Sequence, residues 1–158
     1  MVRIEPQSPG HAPGLFTALS DERSYAFLDE RPPSTVEAVR DRIARLAEVA
    51  PSGSGETWRN WTVFDGKVIV GYTQATIDGG GDADLAYVLH PEAWGHSVGY
   101  EACRLTLIEL RSDPAVRRVV ADTERGNRRS RALLDRLGFE PVREDGPDLF
   151  YRLPANAS

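Results

Sequence analysis

The residues best suited to chemistry fall between Asp84 and Ser130. Asp84 opens the run DLAYVLHPEAWGHSVGYE, which ends at Glu101. Leu85 to Leu89 suits a strand, Pro91 stops it, and Gly95, Ser97 and Gly99 place small residues where backbone can approach a partner closely. A helix opening behind such a turn offers amides without intrahelical partners and the positive end of its macrodipole, enough to hold a pyrophosphate without a lysine. The same residues also read as a plain strand-turn-helix connection with no ligand, and the run alone leaves both readings open. Arg125, Arg128, Arg129 and Arg131 form a basic cluster, either a solvated helix face or countercharge for a polyanion at that helix's start. His11, His90 and His96 are not spaced as a metal set and lack cysteine partners, so no metal is expected; His90 and His96 read as turn residues beside the ligand. Cys103 sits among apolar neighbours in a helical stretch and reads as an inert core residue. Neither G-x-x-x-x-G-K-[ST] nor a G-x-G-x-x-G after the first strand occurs, which removes the main support for nucleotide hydrolysis and nicotinamide binding.

The elements that must position these residues can be read from periodicity. Val2 to Glu5 suits a short strand, and Ser8-Pro9 starts a helix with Leu15, Phe16 and Leu19 inward, ending near Asp21. Tyr25, Phe27 and Leu28 precede the Arg31-Pro32-Pro33 break, as core cover or as a lid over a small ligand. Ser34-Thr35-Val36-Glu37 reads as a capping box for a second helix carrying Val36, Val39, Ile43, Leu46 and Val49 up to Pro51. An internal loop from Pro51 to Gly55 leads to a hairpin, Thr57 to Phe64 and Val68 to Ile77, joined by Asp65-Gly66. After the Gly79 to Gly81 turn, a strand over 84–90 meets the small-residue turn. Val98, Ala102, Leu105 and Ile108 then recur at helical spacing until Ser112-Asp113-Pro114. Val116 to Asp122 suits a fifth strand. Asn127 caps a helix with Ala132, Leu133, Leu134 and Leu137 inward and Gly138 at its end. Phe139 to Val142 and Leu149 to Leu153 close the chain as strands around Asp145-Gly146-Pro147. This order, about seven strands and four helices, predicts a mixed α/β (α+β) sheet and excludes a doubly wound parallel one.

With 158 residues, one domain over 1–158 is expected. A hydrophobic share of 41% with no apolar run near the ~20 residues of a membrane span excludes a membrane protein. The start MVRIEPQSPGH shows no secretory leader, and one cysteine excludes an internal disulfide, so a cytoplasmic location is expected. A net charge of −5 argues against nonspecific nucleic-acid binding.

Two segments, LAYVLHPEAWGHSVGYEA and VVADTERGNRRSRALLDRLGFE, resemble the GNAT superfamily of acyl-CoA-dependent N-acetyltransferases, in particular its RimJ/RimL-like branch of ribosomal-protein N-terminal acetyltransferases. The resemblance spans nearly the whole chain. Trp94-Gly95, the Asn127-x-x-Ser130 helix start and the Leu137-Gly138-Phe139 exit carry it. It implies a GNAT-like fold and acetyl-CoA as cosubstrate. The superfamily's Q/R-x-x-G-x-G/A pyrophosphate loop then falls on Trp94, Gly95, His96, Ser97, Val98 and Gly99. Trp94 replaces its Gln/Arg, as is usual in this branch, and Ser97 replaces its central glycine. The resemblance further implies that backbone of Tyr87, Val88 and Leu89 pairs with the pantetheine arm, and that Asn127 and Ser130 lie beside the cofactor.

Acetyl transfer to an amine needs an unprotonated nucleophile, an oxyanion stabiliser and a proton for the leaving thiolate. Asp84 matches a strand position that is acidic in many relatives and is the candidate base, though it also reads as a turn carboxylate. The superfamily's helix-four tyrosine falls on Leu134 here, so Ser130, matching a serine of the N-terminal-acetyltransferase branch, becomes the candidate acid; backbone N–H near Leu89 is the candidate oxyanion donor. Tyr25, Phe27 and Trp58 are the acceptor-side candidates. The expected acceptor is a primary amine, a peptide α-amino group ahead of a small amine or aminoglycoside-type molecule. The departures at Ser97 and Leu134 also suit a non-catalytic CoA-binding or regulatory module, and the resemblance leaves room for a homodimer.

Overall fold

In the computed structural model, residues 1–47 and 55–155 are described. The expected loop from Pro51 to Gly55, except Gly55, and the expected end of the second helix lie outside them. The elements follow the predicted order: β1 (Val2–Pro6), α1 (Ala12–Ala18), α2 (Val36–Ala47), β2 (Thr57–Asp65), β3 (Val68–Ile77), β4 (Asp82–Leu89), α3 (Val98–Arg111), β5 (Arg118–Glu124), α4 (Arg128–Leu137), β6 (Glu140–Asp145) and β7 (Asp148–Arg152). The strands form one sheet in the order β1-β2-β3-β4-β5-β7-β6. Its pairs are antiparallel except β4 with β5, which lie parallel because α3 carries the chain back between them.

Strand alternation sorts the two faces. Ala75, Ile77, Ala83, Leu85, Val119 and Ala121 pack with Cys103, Leu107 and Leu110 of α3 and with Leu134 and Leu137 of α4. Tyr72 and Val88, one residue out of phase, pack instead against Leu15 and Leu19 at α1 and Val39 and Ile43 of α2. Residues 84, 86 and 88 of β4 therefore belong to the α1/α2 face, and residues 83, 85 and 87 to the α3/α4 face.

Several local expectations shift. The first helix opens with a 3-10 turn, Pro9–His11, and its α-helical part stops at Ala18 instead of near Asp21. The cap of α2 is Thr35, whose hydroxyl accepts the Ala38 N–H at 3.0 Å, one residue after the predicted Ser34. The inward stripe of α3 is Val98, Ala102, Cys103, Thr106, Leu107 and Leu110, while Leu105 is half-buried and Ile108 is 48% exposed. The predicted phase was off because Thr106 counted as polar; it is buried by bonding Thr73 Oγ1 at 2.7 Å and the Ala102 carbonyl at 2.8 Å. Ala132 of α4 is exposed rather than inward. Gly138 ends α4 as expected, in the left-handed conformation at φ +96°. The last two strands begin one residue off the expected positions, and β6, an edge strand, is exposed along its length.

Candidate active site

Only Asp82, Ala83 and Asp84 of β4 pair with β5, opposite Arg118, Val119 and Val120. Both strands continue past that point, so the sheet opens between them. The hydrogen bonds Asp78 N–H to Asp82 carbonyl (2.9 Å) and His90 N–H to Val70 carbonyl (2.8 Å) fix which β4 residues turn their backbone to β3: the even-numbered ones. Tyr87 and Leu89 consequently present N–H and C=O to the opening, whereas Val88 spends its own on β3 and contributes only its side chain. The Leu89 carbonyl is met from outside the sheet by the Ser24 hydroxyl at 2.8 Å. A groove of about 650 Å³ occupies this opening and reaches the turn before α3 and the first turn of α4.

The turn before α3 has an unusual backbone. Gly95 takes φ +78° and Ser97 φ +62°, the one non-glycine with positive φ among the described residues. Two left-handed residues before a helix point successive amides outward, and no backbone carbonyl of the described residues takes the N–H of Gly95, His96, Ser97, Val98 or Gly99. His90 caps the preceding 3-10 turn, its Nδ1 accepting the Glu92 N–H at 3.1 Å.

On the α3/α4 face, Asn127 Oδ1 accepts the Ser130 N–H at 3.1 Å and fixes the start of α4. Ser130 Oγ and the Tyr87 hydroxyl share a hydrogen bond of 2.8 Å. Burial pushes the Tyr87 phenol well above its ordinary value, against the opposing effect of the Ser130 bond, so it stays protonated. On the α1/α2 face, Asp84, Asp122 and Asp148 line the same groove. Asp84 is open to the groove yet walled by protein on its other sides. That enclosure first, and the negative charge of Asp122 second, push its carboxyl up to about 6. Asp122 is raised by burial and then by Asp148.

Of the predicted residues, the structure brings Asp84, Tyr87, Val88, Leu89, Trp94, Gly95, Ser97, Gly99, Asn127, Ser130 and Phe27 to one groove. His96 is exposed beyond its lining and Val98 is buried under it. Phe27 reaches over the opening, so close to Gly126 that a Cβ there would lie 3.3 Å from its ring. Two acceptor-side candidates fall elsewhere. Tyr25 is core cover, its hydroxyl donating to the Leu19 carbonyl at 2.9 Å. Trp58 lies on β2, two strands from the opening, with its indole N–H 3.3 Å from Glu56. Sequence reasoning missed Ser24, Asp122, Asp148 and Arg136, which reach the groove from separate elements with no common motif. Cys103 is buried without a disulfide, its thiol pushed up to about 12 by burial. Among the described residues no group of three His, Cys, Asp or Glu could hold a metal, and no helix is long and apolar enough to cross a membrane.

A family model described as an acetyltransferase (GNAT) domain matches residues 2–140. The chain belongs to the GNAT acetyltransferase family. As a member it is an N-acetyltransferase that uses acetyl-CoA, and the residues present fit that group: a strand edge with free backbone, a turn of unpartnered amides and a roomy groove joining them. No curated protein matches the sequence closely enough to count as a relative. Solved structures share the fold. An acetyltransferase from Thermus thermophilus superposes with a TM-score of 0.72 at 24% identity, over 98% of this chain and 97% of that one. The ribosomal L7/L12 alpha-N-protein acetyltransferase RimL in complex with coenzyme A gives 0.83 at 17% identity, over 99% and 96%. The aminoglycoside acetyltransferase AAC(6')-Ib in complex with coenzyme A gives 0.78 at 16%, over 99% and 96%. The predicted GNAT-like fold is the one observed, with seven strands and four α-helices among the described residues.

Proposed function

We propose that this GNAT enzyme acetylates a primary amine, a peptide α-amino group ahead of a small amine, by direct transfer between two reactants held on opposite faces of the β4/β5 opening. The observation that carries this reading is the separation of groups across the opening: carboxylates at Asp84, Asp122 and Asp148 on one face, the hydroxyl pair of Tyr87 and Ser130 on the other. An amine reaches neutral pH as a cation, and the acidic face attracts it. Asp84 takes the ammonium proton, directly or through a water, and frees the nucleophile; a carboxyl near 6 is ionised at pH 7 yet basic enough for the task. Bound acetyl-CoA supplies the activated acetyl thioester. The free backbone N–H groups of Tyr87 and Leu89 point where a carbonyl oxygen gathers charge in the opening. Ser130 holds a proton for the departing sulfur, with the Tyr87 phenol behind it; this pair does the work expected of the tyrosine that Leu134 replaces. Phe27 roofs the acceptor side and limits water. The one cysteine, buried and reduced, suits work in the cytoplasm.

Thiol release from acetyl-CoA, followed against peptides with free N-termini, small diamines and aminoglycosides, tests the reading. Amine-dependent release with at least one cationic acceptor class is expected. Acetyl-CoA binding by calorimetry without amine-dependent release from any class would instead make the protein a binding module.

A further inference from the structure

The basic cluster at the start of α4 is sorted by the fold, and only one of its members turns toward the groove. Arg125 pairs with Glu144 at 2.9 Å and Arg131 donates to the Arg125 carbonyl at 2.9 Å, and neither lines the groove. Arg129 instead sits over the Trp94 indole, its guanidinium carbon 3.3 Å from the ring centroid. Two helical turns on, Arg136 repeats the arrangement on Tyr100, at 3.9 Å, and donates from Nη1 to Ser97 Oγ at 3.1 Å. Seven residues of helix separate the two cations by about 10 Å on one face of α4. Between them runs the turn from Trp94 to Gly99 with its unpartnered amides, and both arginines line the groove.

We propose that Arg129 and Arg136 form a two-cation bracket for the diphosphate of acetyl-CoA, each arginine carried into place by an aromatic ring of the segment it faces. This rests on the cofactor reading of the groove. Three observations support it. Neither arginine has a carboxylate within ion-pair distance among the described residues; Glu101, which feels the charge of Arg136, makes its ion pair with Arg104 instead. Arg129 sits in the first turn of α4, where no acidic residue balances it and the helix dipole opposes a cation; a bound anion relieves that conflict. Ser97 occupies a left-handed position that costs a non-glycine residue energy, and its hydroxyl is the group that anchors Arg136. Trp94, which stands where the resemblance expects Gln or Arg, thus returns a cation to the loop by holding Arg129. Ser97, which stands where it expects glycine, does the same by holding Arg136.

The test is calorimetric titration of the full chain and its Arg129→Ala, Arg136→Ala and Ser97→Gly variants with acetyl-CoA and with acetyl-pantetheine, which lacks the diphosphate, and with 3'-dephospho-acetyl-CoA. Thermal unfolding confirms that each variant is folded, and Arg129→Gln and Arg136→Gln replace any alanine variant that is not. Arg128→Ala serves as a control of equal charge change on the same helix turn. Each bracket variant should weaken acetyl-CoA roughly 10- to 100-fold, as expected for losing a charge-assisted contact in a partly closed site. It should reduce the salt dependence of binding and leave acetyl-pantetheine unchanged, and Ser97→Gly should weaken acetyl-CoA by a smaller factor. The loss should be the same with the 3'-dephospho compound; a loss that vanishes there would move the bracket to the 3'-phosphate and overturn the diphosphate assignment. Wild-type affinity in both arginine variants, or an equal loss with Arg128→Ala, would also overturn it. Failure of the unaltered protein to bind acetyl-CoA would refute the cofactor reading itself, a result distinct from any of these.

Discussion

The carboxyl of Asp84 makes the reaction's pH dependence a sharp test. Enclosure in the groove and the neighbouring Asp122 raise it from 3.8 to about 6, enclosure contributing more. In its proposed role as proton acceptor it must be ionised. About half of the molecules qualify at pH 6, about nine-tenths at pH 7 and about one-tenth at pH 5, so kcat should fall roughly tenfold between pH 7 and pH 5. The assay is steady-state thiol release at saturating acetyl-CoA and saturating acceptor, with an amine of pKa ~10 that stays cationic throughout that window and so depends on the base. Asp122→Asn removes the smaller cause and should move the acid limb down by less than about 1 pH unit while keeping activity. Asp84→Asn should erase the limb and lower kcat about 10²- to 10⁴-fold, the usual worth of a positioned base, with acetyl-CoA affinity unchanged. The same group also predicts stability. The folded state holds this proton more tightly than the unfolded chain does, so its contribution to stability declines as pH rises from about 4 to about 6. Asp84→Asn should therefore raise Tm at pH 7.5 relative to the unaltered protein and leave it unchanged near pH 3.5. An acid limb near pH 6 that survives in Asp84→Asn would refute the assignment of the base.

Two further perturbations bear on the proton donor and the core. Tyr87→Phe and Ser130→Ala should each lower kcat about tenfold or more with little change in acetyl-CoA binding. The double variant should be no worse than the worse single one, because groups acting as one unit are not additive; additive losses measured by the same thiol-release assay would separate them. Leu110→Ala, at a fully buried α3 position between helix and sheet, should cost about 2–5 kcal/mol in denaturant unfolding, whereas Ile108→Ala on the exposed flank of the same helix should change stability by less than about 1 kcal/mol.

Much of the fold was legible before any coordinates. The Asp65-Gly66 reversal, the Pro91 stop, the Asn127 cap and the Gly138 exit are local instructions, each written in residues whose backbone or side-chain chemistry acts within a few positions, and all four hold. The stripe of α3 was less legible, since Thr106 is buried by a partner on β3 that lies 33 residues away. Ser34 with Glu37 fits the capping-box spacing and predicts a cap one residue early; the helix starts at Val36, and Thr35, with Ala38 three residues on, caps it by its hydroxyl alone.

The candidate site divides in the same way. By itself the sequence determined the contiguous half of the groove: strand, small-residue turn and helix follow one another, so Tyr87 to Gly99 had to come together, and Asn127 and Ser130 follow from one capped helix. Tertiary structure alone decided the rest. Pairing of β4 with β5 over only three residues creates the opening, and that register depends on strands far apart in the chain. Alternation about the opening then assigns Asp84 and Asp122 to one face and the Tyr87–Ser130 pair to the other. It also leaves Trp58 two strands away and seats Tyr25 as cover on the α1/α2 core. Spacing along the chain carries local geometry because the backbone transmits it. Which side chains meet across a gap is settled by packing, and no short stretch of residues encodes that.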